Sequence, residues 1–310
     1  MSDTSSLDAL VAELRADVSS GATEVARGAA RILRRAALEL PANSAPELNA
    51  ELGRTAVAIL DAQPAMASLV ALACAVLSAG RPEAGLDEVR HRAAAAAEDF
   101  AAEIEVRADA LAHRVAEILP AGRPVLTLSA SEAAARSLIT FARRARGATV
   151  ICLESRPVRE GRTVAVRLAG AGISVVYAVD AAVGTLVRGC GAILFGADSI
   201  GDHGVVNKVG SLAAALAGRH HDVPVYVAAD TTKILPEGIP QVVEEDRPAH
   251  EVWNAPDGVS VWNRYFEAVP LGLVTLVITE RGPLSPTDLA AFRAGLTLPP
   301  PIRAWRSSRP

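Results

Sequence analysis

Two hydrophobic patterns divide the chain near residue 120. Before that point apolar residues recur at helical spacing: Leu7, Leu10, Val11, Leu14 and Val18 share one face of a first helix. Gly21 separates it from a second helix over 22–40, which Pro41 and Asn43-Ser44 end, and Pro46 opens a third. Pro64 opens a fourth, over 66–79, which is apolar all round and reads as buried; Gly80-Arg81-Pro82 stops it. From 83 to 119 there is no proline and Gly85 is the only glycine. A single helix of roughly 50 Å, at about 1.5 Å per residue, is therefore predicted. His91 and His113 are read onto its polar side.

After Pro120-Ala121-Gly122-Arg123-Pro124 the period changes. Strands are predicted at 125–128, 148–153, 173–179, 192–195, 223–229 and 273–278. They alternate with helices at 132–144, 163–169, 181–187, 211–217 and 285–294. Apolar runs alternating with helices at this spacing imply an α/β fold with a doubly wound parallel sheet and right-handed crossovers. The expected organisation is an all-helical domain over 1–120 and an α/β domain over 121–310. Residues 231–265 read as less regular, the tail from Pro299 as frayed, and no internal repeat is found.

Composition narrows the functional classes. Half the residues are apolar but only 4% are aromatic, and the net charge of -4 is spread in both signs along the chain. No basic domain emerges, which argues against direct nucleic-acid binding. Cys74, Cys152 and Cys190 are far apart and form no CxxC pair. That pattern fits a reduced cytoplasmic protein without disulfides or a zinc site. The polar N-terminus lacks a signal-peptide core, and the longest apolar run is too short to span a bilayer.

The loops after the predicted strands hold the candidate chemistry, because ligands of open α/β sheets sit outside the strands' carboxyl ends. The first loop, Ser129-Ala130-Ser131-Glu132-Ala133, is not GxGxxG, and no GxxxxGK[ST] occurs anywhere. Nicotinamide and P-loop nucleotide chemistry are thereby disfavoured, and neither cofactor nor metal is expected. Ser129 and Ser131 offer hydroxyls at a helix N-terminus, either as an anion site or as ordinary helix caps. After the second strand, Arg156 and Arg162 suit phosphate, or salt bridges to Glu154 and Glu160. After the fourth, Gly196-Ala197-Asp198 leads to Asn207-Lys208-Val209-Gly210. Lys208 reads as opening a helix, a position that favours a facing anion. Lys233 follows the fifth strand. Cations from three strand ends converging on Asp198 point to a phosphorylated metabolite. His203, His220-His221 and Arg143-Arg144-Arg146 have ordinary solvated or helix-end readings, and no GxSxG elbow supports a serine triad.

These segments resemble a known family, namely that of ribose-1,5-bisphosphate isomerase, 5-methylthioribose-1-phosphate isomerase and the alpha, beta and delta regulatory subunits of eukaryotic translation initiation factor two-B. The resemblance runs through Arg27-Gly28-Ala29-Ala30, Glu154-Ser155-Arg156-Pro157 with Glu160-Gly161-Arg162, Gly172-Ile173 through Asp180, and the Asp198 and Asn207-Lys208 segments. It continues through Pro224–Ala229 to Lys233, then Val261-Trp262-Asn263, Phe266-Glu267, Pro270 and Ile278–Gly282. It implies a helical domain followed by a Rossmann-like domain, and a homodimer or higher homo-oligomer. By resemblance Asp198 is a catalytic acid/base, while Arg27, Gly28, Ala29, Ser131, Asn207, Lys208 and Lys233 contact phosphate and sugar. One departure stands out: the isomerase pattern Thr-His-Cys-Asn-Ser and lysine is here Thr127-Leu128-Ser129-Ala130-Ser131 and Glu132. Ser129 thus replaces the catalytic cysteine, as it does in the regulatory subunits. A thiol ionises near neutral pH when tuned, whereas a serine hydroxyl needs a dedicated base. Cys152, on the adjacent strand, reads as a structural thiol. Two expectations follow: a divergent ribose-phosphate isomerase, or a non-catalytic phosphosugar- or nucleotide-binding regulatory protein.

Overall fold

The computed structural model describes residues 4–17, 21–80, 84–243 and 246–307. Val18 and Arg81-Pro82, used in the sequence reading, lie outside them. The chain forms two compact units: Met1–Val106 with Thr232–Pro240 and Arg293–Pro310, and Arg107–Thr231 with Gln241–Phe292.

The first unit is helical. Its elements are α1 (Thr4–Ala16), α2 (Ala22–Glu39), α3 (Ala45–Ala62), α4 (Ala67–Ala79) and the first part of the 33-residue α5 (Leu86–Ile118). Ser44 caps α3, its hydroxyl accepting from the Glu47 N–H, and Pro46 sits in the first turn where no backbone donor is needed. Leu33, Leu48, Leu52, Ile59, Leu69 and Leu72 fill a shared core, and the small Ala29, Ala36 and Ala56 let the helices approach closely. His91 and His113 are exposed on α5, as the polar-face reading anticipates; each ring's Nδ1 contacts a carbonyl one turn earlier.

The second unit contains β1 (Val125–Thr127), α6 (Glu132–Arg144), β2 (Thr149–Leu153), α7 (Gly161–Gly170), β3 (Ser174–Ala178), α8 (Val183–Leu186), β4 (Ala192–Gly196), β5 (Ser199–Gly201), β6 (Gly204–Lys208), α9 (Ser211–His220), β7 (Val225–Ala228), β8 (Phe266–Val269), β9 (Leu276–Thr279), β10 (Gly282–Leu284) and α10 (Pro286–Ala294). Seven strands form one sheet in the order β10-β9-β7-β4-β1-β2-β3, parallel except for the β9–β10 pair. The chain winds outward from β1 through β2 to β3, then returns to β4 on the other side of β1. The reversal makes a topological switch point between the carboxyl ends of β1 and β4. Val125, Val150, Cys152, Ala192 and Leu194 pack with Leu138 and Phe141 of α6, Val164 and Leu168 of α7, and Leu111 and Val115 of α5.

Three features differ from the sequence reading. Lys208 does not open a helix; it ends β6, and α9 begins at Ser211 after Gly210 takes a left-handed turn (φ 104°). β5 and β6 form an antiparallel hairpin that pairs with β8 in a separate three-stranded sheet. Short runs broken by Gly201 and Gly204 hide this hairpin from a periodicity count, and Gly204 must be glycine because it holds φ 99° and a Cβ there would lie 2.2 Å from the Val269 carbonyl oxygen. Finally, the tail is ordered rather than frayed: α11 (Pro300–Ser307) buries Ile302 and Trp305 in the helical core, and the Trp305 indole N–H donates to Asp61 Oδ1 at 2.8 Å. A Pro-Pro pair at the start of a helix is compatible with it, because the first turn needs no N–H partners.

Candidate functional site

The switch point joins two loops that the sequence marked separately. Ser129 and Ser131 follow β1, and Asp198 follows β4, with β1 and β4 paired in register Thr127 to Leu194. The two loops touch: a Cβ on Gly196 would lie 2.1 Å from Ser131 Oγ. Glycine at the last position of β4 is therefore what permits the contact. Of the two readings of Ser131, the cap is what the structure shows, with its hydroxyl accepting from the Ala134 N–H at the start of α6. Half-buried Asp198 is placed by the hairpin, its N–H donating to the Val206 carbonyl at 2.9 Å.

Ser129 and Ser155, at the ends of adjacent strands β1 and β2, both occupy the left-handed region (φ 66° and 61°). Non-glycine residues there carry about 1–3 kcal/mol of strain each, and such strain gathers at functional sites. Each is held by its surroundings. The Ser129 N–H donates to Ser155 Oγ at 2.7 Å, and the N–H groups of Ser155 and Arg156 donate to the two carboxylate oxygens of Asp180, both at 2.8 Å. The Ser129 hydroxyl donates to Glu160 Oε1 at 3.3 Å. Lys208 Nζ reaches the same oxygen at 3.0 Å and lies 4.3 Å from the Tyr265 ring centroid. Lys208 is only 6% exposed, so this ion pair and cation–π contact compensate an ammonium taken out of water. Arg247 covers the same Tyr265 ring at 4.9 Å. Burial, then a hydrogen bond to the Glu251 carboxylate, pushes the Tyr265 hydroxyl up to about 12; the same bond holds Glu251 below its ordinary value.

The remaining expected site residues are placed as follows. Buried Asn207 donates through Nδ2 to Ser211 Oγ at 2.8 Å, and Ser211 donates to the Lys208 carbonyl, which ties β6 to α9. Glu267 Oε1 accepts from the N–H groups of Gly210 and Leu212, satisfying the start of α9. Arg156 does not bridge to Glu154; its guanidinium donates to the Val252 carbonyl at 3.1 Å. Arg162 is exposed in the first turn of α7, and Glu160 pairs with Lys208 rather than with it. Arg27, Gly28, Ala29 and Lys233 belong to the helical unit. Arg27 pairs with Glu105 at 2.9 Å on an exposed surface, and the Ala29 side chain is fully buried in the helical core. Lys233 closes a short 3-10 turn, Thr231–Lys233, and is half-buried.

Sequence reasoning gave Glu160 no role beyond a salt bridge, met Ser155, Asp180 and Glu267 only inside the family-like segments, and overlooked Tyr265. An aspartate directly after β3, at the same sheet edge, was the signal available for Asp180. Glu132 is accounted for by Arg167, which it binds bidentately, and by Arg136. Cys152 contacts the Gly161 carbonyl, and burial pushes its thiol up to about 11. Among the described residues no group of three or more His, Cys, Asp or Glu is placed to hold a metal ion, and no helix is long and apolar enough to cross a membrane.

Comparison with known proteins gives four findings. A model of the initiation factor 2 subunit family matches residues 18–286. Ribose 1,5-bisphosphate isomerase of Thermococcus kodakarensis is 31% identical over 279 residues, 86% of this chain and 87% of that protein. Methylthioribose-1-phosphate isomerase of Gemmatimonas aurantiaca is 36% identical over 215 residues, covering 65% of this chain and 62% of its own length. Among solved structures, translation initiation factor eIF-2B of Pyrococcus horikoshii OT3 superposes with a TM-score of 0.73 at 28% identity, over 90% of this chain and 97% of that one.

Proposed function

The chain belongs to the initiation factor 2 subunit family, and from that premise we propose that it is an aldose–ketose isomerase of a ribose 1-phosphate, resembling ribose 1,5-bisphosphate isomerase. The observation that carries the reading is similarity to that isomerase along 86% of the chain, in a protein that presents Asp198 and Ser129 at one switch point. Converting a cyclic aldose 1-phosphate to the open ketose 1-phosphate moves the C2 hydrogen to C1 and the C2 hydroxyl proton to the ring oxygen O4, breaking the C1–O4 bond. Two proton-transfer groups meet this demand. Asp198 serves O4 and the C2 hydroxyl, and Ser129 lies where the second group acts. Ser131, Arg156, Arg162, Asn207 and Lys208 of the α/β unit are the proposed contacts for phosphate and sugar. Neither cofactor nor metal enters this scheme.

The protein is further proposed to work in the cytoplasm as a homodimer or higher homo-oligomer. Edge strand β3, which exposes Val176 and Tyr177 with Val179 just beyond it, supports an association surface in the α/β unit. A second reading, a non-catalytic phosphosugar or nucleotide sensor, is favoured by one observation: position 129 is a serine, whose hydroxyl moves no proton near neutral pH without a dedicated base.

Incubation with ribose 1,5-bisphosphate and with methylthioribose 1-phosphate, followed by chromatographic detection of ketose, separates the two. The isomerase reading expects product from one of them, and kcat at least about 100-fold lower for Asp198→Asn, the usual weight of an acid/base group. Stabilisation by a sugar phosphate or nucleoside monophosphate without any ketose would leave the sensor reading standing. A ligand at 100 times its dissociation constant should add about 2.7 kcal/mol.

A further inference from the structure

Ser129 presents a chemical problem that its surroundings answer. An aliphatic hydroxyl does not take up and release protons near neutral pH unless a base stands beside it. Half-buried Ser129 has one: its hydroxyl donates to Glu160 Oε1. The same oxygen accepts from Lys208 Nζ, whereas Glu160 Oε2 is buried with no donor among the described residues. A buried carboxylate oxygen without a donor is costly, and such exceptions call for an explanation. The position of Glu160 is also fixed by the backbone. A Cβ on the next residue, Gly161, would lie 1.9 Å from the Leu153 carbonyl oxygen, so the start of α7 is jammed against the end of β2.

We infer that Glu160 is the proton acceptor behind Ser129, and that the two act as one acid/base unit opposite Asp198. The inference rests on the isomerase reading and deepens it. In the forward step Ser129 Oγ takes the proton from C2 as its own proton passes to Glu160 Oε1. The C2–H electron pair forms the C1–C2 double bond, and the C1–O4 bond breaks as Asp198 gives its proton to O4. In the return step Asp198 takes the proton of the C2 hydroxyl, C1 receives a proton from Ser129 Oγ, and Ser129 recovers one from Glu160. Every proton is conserved and no oxidant is required. Lys208 keeps the carboxylate in place between the two steps, its ammonium resting 4.3 Å from the Tyr265 ring centroid.

A bland alternative has Glu160 serving only as the counter-ion of buried Lys208, and a double-mutant cycle tells the two apart. With ribose 1,5-bisphosphate as substrate, E160Q should lower kcat at least about 100-fold with KM within about threefold, and E160D should restore part of the loss. Ser129→Cys supplies a thiol, far more acidic than a hydroxyl at about pKa 8.5 and so less dependent on a base, and in that background E160Q should cost less than about threefold. An equal loss in both backgrounds would overturn the inference in favour of the counter-ion role. So would wild-type turnover matched by E160Q within threefold. If E160Q does not fold, E160D, which keeps the charge facing Lys208, carries the same comparison. A wild-type protein that forms no ketose from any aldose 1-phosphate overturns the isomerase reading and this inference together; the other outcomes overturn the inference alone.

Discussion

Cys152 pairs across β1 and β2 with Thr127, two residues before Ser129, yet it is the wrong thiol for proton transfer. Burial dominates its environment, with the Asp180 charge acting in the same direction, and together they push it up to about 11. At pH 8 roughly one molecule in a thousand carries the thiolate there. Cys152→Ala is therefore expected to keep kcat within about threefold. Ellman's reagent at pH 8 should modify Cys152 in the native protein at least about 100-fold more slowly than after unfolding; rapid native modification would contradict this. At this scale the sequence was informative about which residues reach the sheet edge, because Ser129, Arg156 and Asp198 each follow a recognisable apolar run. It was less informative about what they touch. Arg156 turns to a backbone carbonyl and Lys208 to Glu160 and Tyr265, partners brought together by strand order rather than by spacing along the chain.

The elements carry the site through a few close approaches. Gly196 ends β4 against the Ser131 hydroxyl, so Gly196→Ala must force apart the loops that bear Ser129 and Asp198. Overpacking of this kind costs about 1–3 kcal/mol, which urea unfolding of the variant should register, while steady-state kinetics should show a fall in kcat/KM larger than any rise in KM accounts for. Glu267 has a different duty, accepting from two N–H groups at the start of α9. Glu267→Ala should destabilise the protein by about 0.5–2 kcal/mol, the range for lost helix caps, as read from the urea midpoint. The β5–β6 hairpin that presents Lys208 was not legible in the sequence. Three- and five-residue strands separated by a glycine turn leave too few positions for alternation to emerge, and Lys208 next to Gly210 imitates a helix start.

For the whole molecule, the helical first part, the long α5 and the alternating strands and helices could all be read from hydrophobic periodicity. That signal is strongest in long elements with one buried face. The order of α11 could not, because its anchor is tertiary: Ile302 and Trp305 join the core of the distant N-terminal helices, and the Trp305 indole donates to Asp61, 244 positions earlier. Trp305→Ala should cost about 3–5 kcal/mol and lower the melting temperature accordingly. Light scattering is expected to give a dimer or larger assembly, and Tyr177→Lys with Val179→Lys, on and beside the exposed edge strand β3, should shift it towards the monomer. The proposed isomerase moves a hydrogen between C2 and C1 of a ribose 1-phosphate. Carbon NMR of ribose 1,5-bisphosphate labelled at C2 tests it most directly. A ketone carbon that grows with time in the wild-type protein, and at least about 100-fold more slowly with Asp198→Asn, is the predicted result. A substrate signal that stays unchanged with the folded wild-type protein, or a ketone that forms equally fast with Asp198→Asn, would contradict it.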